Sequence, residues 1–371
     1  MQNFQVSNGV NVVCQLNNSV NKRVLFILPV VSQPRYSKRI QSYLDSGYQV
    51  TVASFKRKYF EKNTLPAGVD FISLGRIENG NYFIRIFKIL PSLLRIFRLS
   101  RKHTFVYIFS VDVLLIILFQ RNSKNIFFEL GDIREVSKSE IIIRVFDFFY
   151  IRALDNCHRV IVTSKGFRNF LIDRYRVKSD KVFILENKLQ RKVFTAEIRP
   201  QVSELNVNSI CIGIIGFLRY DNVIELLKCF SQNTSYSLSI KIFGDGPLKS
   251  EILQYVDDDR VKYFGQFKYP EDLWQIYEQI DVSFTMYDSN SLNVRLALPN
   301  KLYESIYFRK PIIVSSNTYL GEIVNELGVG FSWDQDDIQS LLVYLNSKDY
   351  IIKYNSLLER IGQIHEPIYL A

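Results

Sequence analysis

Cysteine and histidine are scarce, with four of one and three of the other in 371 residues. Cys14, Cys157, Cys211 and Cys229 have no paired spacing, and His103, His158 and His365 do not cluster with them. A zinc site needs such ligands at short regular intervals, so none is expected, and a reduced cytosolic compartment fits. The opening MQNFQVSNGVNVV lacks a basic stretch followed by an apolar core, and no secretory signal is expected. Long apolar runs are also missing. The longest aliphatic stretch, VLLIILF at 113–119, follows Asp112 and is far shorter than the ~20 residues a spanning helix needs. It reads as a buried strand or helix. The glycines of FGDGPLKSE at 243–251 do not make a P-loop, because no glycine stands directly before Lys249.

What is present is globular: 47% hydrophobic and 23% charged residues. A length of 371 residues favours two domains, each with its own core. The net charge of +10 is unevenly spread. Residues 1–190 carry 30 Lys+Arg against 14 Asp+Glu, net +16, whereas 191–371 carry 17 against 23, net −6. A basic half suits an anionic membrane surface, a phosphorylated substrate or nucleic acid. PSLLRIFRLSRKH at 91–103 starts with proline and interleaves apolar residues with arginines. On a helical wheel Lys88, Arg95, Arg98 and Lys102 share one arc, as in an interfacial helix on anionic lipid. A core-packed helix with a solvated basic face accounts for the same pattern. No nucleic-acid-binding module is recognisable, so nucleic acid is not an expected partner.

From Lys22 onward, short β-rich runs alternate with helix-length segments. RVLFILPV, YQVTVASF, KNIFFELGDI and HRVIVTS read as strands of one parallel sheet. SICIGIIG, SIKIFG, VKYFG, DVSFTMY, KPIIVSS and VGFSW read as strands of a second, with helices between them. The expected class is α/β. It consists of an arm at 1–21, a Rossmann-like domain at 22–195, a second at 205–350, and a helical tail at 351–371 placed to cross back to the first. A cleft between two such sheets, where the carboxyl ends of the strands open, is the natural ligand site.

Chemistry is then expected at strand-to-helix turns. IIGFLRYDN puts Gly216 at a strand end and Arg219 before a helix, which suits a diphosphate: glycine lets backbone approach, helix amides point outward, and guanidinium is a forked cation. Gly244 and Gly246 bracket Asp245 ahead of Pro247, either as a tight turn or as a ligand contact. In LPNKLYESI, Pro299 is expected to start a helix whose Asn300, Lys301 and Leu302 amides face a phosphate, with Lys301 as supporting charge. Glu304 one turn on can accept two hydrogen bonds from vicinal ribose hydroxyls. The plainer reading is a carboxylate that merely favours the helix dipole.

The order GFLRY, IFGDGPL, YFGQF, DLWQIYEQIDVSF, LPNKLYESIYFRKPIIVSS, VGFSW resembles the donor domain of bacterial glycosyltransferase family 4 enzymes with the GT-B fold. PRYSKRIQSYLDSGYQVTVASFKR, FFELGDIR, RVIVTSKGF and ILENKL resemble the matching acceptor-domain landmarks, so the likeness spans roughly residues 22–350. It implies two Rossmann-like domains facing each other across a cleft, and a UDP- or GDP-sugar donor with no separate cofactor. Glu304 would hold the ribose, and Arg219 with the 299–302 turn the diphosphate. Asp132 of ELGDIR would touch sugar or acceptor hydroxyls. Catalysis would rest on Asp132, Arg219 and Lys301. The family's front-face route retains configuration and uses no enzyme nucleophile. Arg219, Lys301 and helix amides would carry the leaving phosphate's charge, making metal dispensable.

The resemblance also implies an acceptor in capsule, O-antigen or exopolysaccharide assembly. Arg35 and Lys38 in PVVSQPRYSKR suit a lipid-linked saccharide diphosphate at the cytoplasmic face of the inner membrane. Two departures stand out. The first acid of the family's Glu-x7-Glu pattern falls on Leu296, with Asn293 and Arg295 nearby, and no lysine follows Arg219 in YDNVI. The Asp-x-Asp pairs Asp257/Asp259 and Asp334/Asp336 read as turn or helix-start residues. A nucleotide-sugar epimerase of the same fold and an inactive scaffold are the alternatives.

Overall fold

A computed structural model of the chain describes residues 22–31, 33–56, 65–76, 90–109, 111–115, 125–133, 139–190, 193–194, 210–256 and 260–364. The arm at 1–21, Lys88, Asp257, Asp259 and His365 lie outside them. The chain divides into two compact units between Asn187 and Lys188.

In the first unit the order is β1 (Arg23–Leu28), α1 (Pro34–Asp45), β2 (Gln49–Lys56), β3 (Asp70–Arg76), α2 (Leu93–Ser100), β4 (Phe105–Phe109), α3 (Val111–Leu114), β5 (Ile126–Leu130), α4 (Glu140–Asn156), β6 (Arg159–Val162), α5 (Lys165–Tyr175) and β7 (Val182–Ile184). The strands form one sheet in the order β3-β2-β1-β4-β5-β6-β7, every pair parallel. β1 reads VLFIL without alternation because both of its faces are covered. α1 packs over an aromatic layer in which Phe26 stacks on Tyr107 at 5.0 Å and Tyr43 meets Phe26 edge-on at 5.3 Å.

Among the described residues of this unit one ion pair is buried on both sides. Arg39 Nε donates to Glu129 Oε2 at 3.0 Å, Tyr107 donates its hydroxyl to the same oxygen at 2.5 Å, and Arg39 Nη2 reaches the Leu185 carbonyl at 2.9 Å. α1 is thereby tied to the ends of β5 and β7. The described cysteines are free and buried, and burial pushes the Cys157 thiol up to about 12, so it stays protonated at neutral pH.

The second unit runs β8 (Ile210–Phe217), α6 (Asn222–Ser231), β9 (Leu238–Asp245), α7 (Lys249–Ile252), β10 (Val261–Gly265), α8 (Leu273–Glu278), β11 (Val282–Thr285), α9 (Leu292–Leu296), α10 (Asn300–Tyr307), β12 (Ile312–Ser315), α11 (Tyr319–Leu327), β13 (Gly330–Trp333), α12 (Ile338–Leu345) and α13 (Lys348–Gly362). Its sheet is again parallel, in the order β10-β9-β8-β11-β12-β13. Side chains alternate across β8. Ile210, Ile212 and Ile214 join a core with α6, α12 and α13, while Cys211 and Ile215 join a second core with α8, α10 and α11. Gly213 leaves room for Ile280, which lies 2.5 Å from where its Cβ would be. α13, in the expected tail, buries Tyr350, Tyr354, Leu358 and Ile361 in these two cores.

Removing one partner of the Arg39–Glu129 pair strands a buried charge. Arg39→Met is expected to cost about 3–5 kcal/mol in urea unfolding, and Arg39→Met with Glu129→Leu to restore most of that loss.

Candidate functional site

In the second unit the strand order reverses between β8 and β11, since the chain leaves β8 toward β9 and returns on the other side. At such a switch point the two carboxyl ends are left uncovered and form a crevice. A small pocket opens there, lined by Gly216, Leu218, Arg219, Tyr220, Met286 and Tyr287 among others.

Its floor depends on glycine. Gly216 and Gly244 are register partners with φ of +129° and +150°, which other residues rarely adopt. A Cβ on Gly244 would fall 1.8 Å from the Gly216 carbonyl oxygen. Gly246 is as tight against Leu218, with 2.2 Å to its carbonyl oxygen. Leu218 N–H donates to the Asp245 carbonyl at 3.0 Å, and Tyr263 donates its hydroxyl to the Gly244 carbonyl at 3.0 Å. The Gln266 amide and the Gly246 N–H hold the Asp245 carboxyl below its usual range. Gly244 and Gly246 thus make a tight turn that fixes the β8 end.

α10 lies beside this floor. Pro299 is its N-cap, one place earlier than the first helical position expected of it, because an extended ψ of 159° puts it outside the helix. Leu302 N–H already donates to the Pro299 carbonyl at 3.3 Å, so the expected trio of outward amides reduces to those of Asn300 and Lys301. Glu304 is buried. Its Oε2 accepts from the Lys301 ammonium and from the Tyr277 hydroxyl, the latter at 3.2 Å. Burial, reinforced by Glu304, drives the Tyr277 phenol far above its usual range. The Lys301 chain also reaches the glycine floor, with Cε 3.8 Å from the position a Gly216 Cβ would take.

Arg219 is exposed. Its guanidinium lies 4.8 Å over the Tyr220 ring and donates to the Tyr220 hydroxyl at 2.6 Å. The Tyr220 and Tyr287 rings lie 4.8 Å apart. The Tyr287 phenol is raised first by burial, then by Tyr220 and Glu304, and is opposed by Arg219, so the fields of Arg219 and Glu304 meet at one side chain. Lys301 joins Glu304 to Gly216, which lines one pocket with Arg219, and the four form one cluster. Arg295 does not join it. It is exposed on α9, and its guanidinium makes no hydrogen bond or ion pair among the described residues. Leu296, the last residue of α9, is half-buried. Sequence reading missed Tyr277 and Tyr287, although Tyr287 closes the strand motif DVSFTMY.

The first unit pairs two more expected site residues. Arg35 Nη2 lies 3.3 Å from Asp132 Oδ2. Gly131 makes the approach possible, since a Cβ there would sit 1.6 Å from Arg35 Nη1. Lys38 is buried in α1. Arg95 donates to the Ser73 carbonyl at 2.8 Å, while Arg98 and Lys102 are exposed. α2 ends at Ser100, so Lys102 lies beyond the helix expected to carry it. Asp334 Oδ1 accepts the Asp336 N–H at 3.0 Å, closing a turn. Among the described residues no group of three His, Cys, Asp or Glu is placed to hold a metal ion. No helix among them is long and apolar enough to cross a membrane.

Residues 197–360 match the family described as Glycosyl transferases group 1. The succinoglycan biosynthesis protein ExoL of Rhizobium meliloti (strain 1021) is 24% identical over 341 residues, covering 87% of this chain and 84% of that protein. Among solved structures, Anabaena Alr3699/HepE in complex with UDP superposes with a TM-score of 0.66 at 14% identity, over 92% of this chain and 93% of that one. A glycosyltransferase from Rickettsia africae gives 0.65 at 14% identity, over 95% of each chain. HepE has also been solved with UDP-glucose.

Gly244→Ala is expected to lower stability by about 2–4 kcal/mol, because both the positive φ and the Gly216 carbonyl oppose a side chain. Thermal unfolding checks this, with Gly362→Ala, which meets nothing within 4 Å, as the silent control.

Proposed function

We propose that this chain, a glycosyltransferase with the GT-B fold, takes a sugar from a uridine or guanosine diphospho-sugar and places it on a lipid-linked saccharide in polysaccharide biosynthesis. The observation that carries the reading is the Lys301 side chain, which spans from the Glu304 carboxylate to the Gly216 turn. A cation in that place suits a diphosphate, and a buried carboxylate beside it suits a ribose. Lys301 also fills the role left open by the lack of a lysine after Arg219, where buried Asn222 and Val223 stand instead.

The acceptor hydroxyl oxygen attacks the anomeric carbon as its bond to the nucleotide diphosphate breaks. The hydroxyl proton passes to the leaving phosphate oxygen, and attack from the same face retains configuration. Lys301, Arg219 and the free Asn300 and Lys301 amides stabilise the negative charge that grows on the phosphate, the largest service a protein renders in such a step. This assigns the charge stabilisation to the protein without a divalent ion. On the acceptor side Arg35 and Asp132 bind the saccharide carrier, at the cytoplasmic face of an anionic inner membrane. The likeness to ExoL, a succinoglycan biosynthesis protein, supports the polysaccharide setting.

Leu296 favours a second reading, in which the chain binds donor without transferring it. Calorimetry and turnover separate the two. A nucleotide diphospho-sugar is expected to bind and be consumed only when acceptor is present, whereas binding without turnover supports the scaffold. Conversion of donor in the absence of acceptor indicates an epimerase.

Lys301→Ala and Arg219→Ala are each expected to lower kcat by about 100-fold. Glu304→Ala is expected to weaken donor binding by roughly tenfold or more. A chelator is expected to leave the transfer rate unchanged.

A further inference from the structure

α4 breaks the pattern of the other helices. Its inner side, Tyr150, Ala153 and Leu154, packs on the first unit, with Tyr150 edge-on to Tyr175 at 4.9 Å. A helix this apolar on its outer side as well is normally buried all round. Instead Ile141 is 75% exposed, Phe148 56%, Val145 51% and Phe149 46%. Their spacing of four, three and one residues lines a single face. Large apolar side chains thus make up a continuous stripe of the face open to water, and an exposed patch of this kind marks a docking surface.

Charge decides what docks there. Arg144 flanks the stripe, within 3.6 Å of Glu140, and Arg152 continues it one turn beyond Phe148, 5.2 Å over that ring. Asp147 on the flank is neutralised by Arg174 of α5 at 2.8 Å. The remaining acid, Asp155, sits at the far end, where Lys181 bonds its carbonyl at 2.6 Å. The steps β3 to β4 and β5 to β6 run the same way along the sheet, so right-handed crossovers put α2 and α4 on one face. α2 and the turn after it add exposed Arg98, Arg101 and Lys102, none with an ion pair among the described residues, in a half of the chain whose net charge is +16. A second copy docking through this face would set arginine rows against each other. An anionic bilayer takes the apolar side chains at the acyl boundary while the arginines extend to lipid phosphates.

We propose that the outer face of α4, centred on Ile141, Val145, Phe148 and Phe149, is the surface that seats the protein on an anionic membrane. α4 follows the Gly131–Asp132 loop at the carboxyl end of β5, so lipid contact at Ile141 and Val145 brings the Arg35–Asp132 pair toward the bilayer. The inference rests on the proposed function in one respect, that the acceptor is carried in lipid.

The test is flotation of the full chain with vesicles of phosphatidylcholine alone or mixed with phosphatidylglycerol. Partition onto the anionic vesicles is expected, weakening with salt. Phe148→Ser with Phe149→Ser is expected to reduce it at least about tenfold, with thermal unfolding unchanged because both side chains start exposed. Phe148→Trp is expected to add an emission component that shifts to the blue on anionic vesicles. The proposal is overturned if the serine variant floats as the wild type does, if the wild type stays with the buffer, or if the wild type forms a dimer that the variant abolishes. Donor calorimetry on the same preparations separates the two readings. Donor binding without flotation removes the membrane face alone, and flotation without donor binding removes the transferase site alone.

Discussion

Glu304 is the constraint on which the second unit's site depends. A carboxylate out of water costs several kcal/mol unless its hydrogen bonds and charge are answered, and here the Lys301 ammonium and the Tyr277 hydroxyl answer them. Both partners are thereby fixed in place. Lys301 is held across the first turn of α10 and beside Gly216. Tyr277 is held from α8, backed by Phe308 stacked at 4.5 Å. On the proposed reading, a nucleotide diphosphate entering such a crevice would compete with Glu304 for the lysine and with the lysine for Glu304.

The strands and several helices of this unit were legible because they are continuous apolar runs bounded by glycine, proline or polar turns. Helices separate these strands as expected, and α7 gives way after Ile252 to a tighter 3-10 turn over Leu253–Tyr255. In the first unit β3, β4 and β7 escaped notice. β3 is a mostly exposed edge strand reading DFISLGR, and β7 is only three residues long. Local signals predicted the cluster's Arg219, Lys301 and Glu304, but its tyrosines look like any core aromatic until their neighbours are known. The Arg35–Asp132 pair joins residues 97 apart in the chain, beyond the reach of any spacing rule.

The uneven charge was visible from composition, but the part of the first unit that gives it a direction was not. α2 advertises itself by arginines, and its buried side is only Ile96 and Ser100. α4 mixes three acids with two arginines in an apolar sequence that reads as core. Only the burial of one side and the exposure of the other reveals that the apolar content exceeds what its own unit can cover.

Gly131 and Arg35 carry a last consequence, for anyone recombining this chain with its relatives. The guanidinium occupies the space of a side chain at position 131, so the β5 loop and the opening turn of α1 are interdependent although distant in sequence. A chimaera that imports one without the other inherits either a collision or a hole. Exchanged together, they travel as a single module.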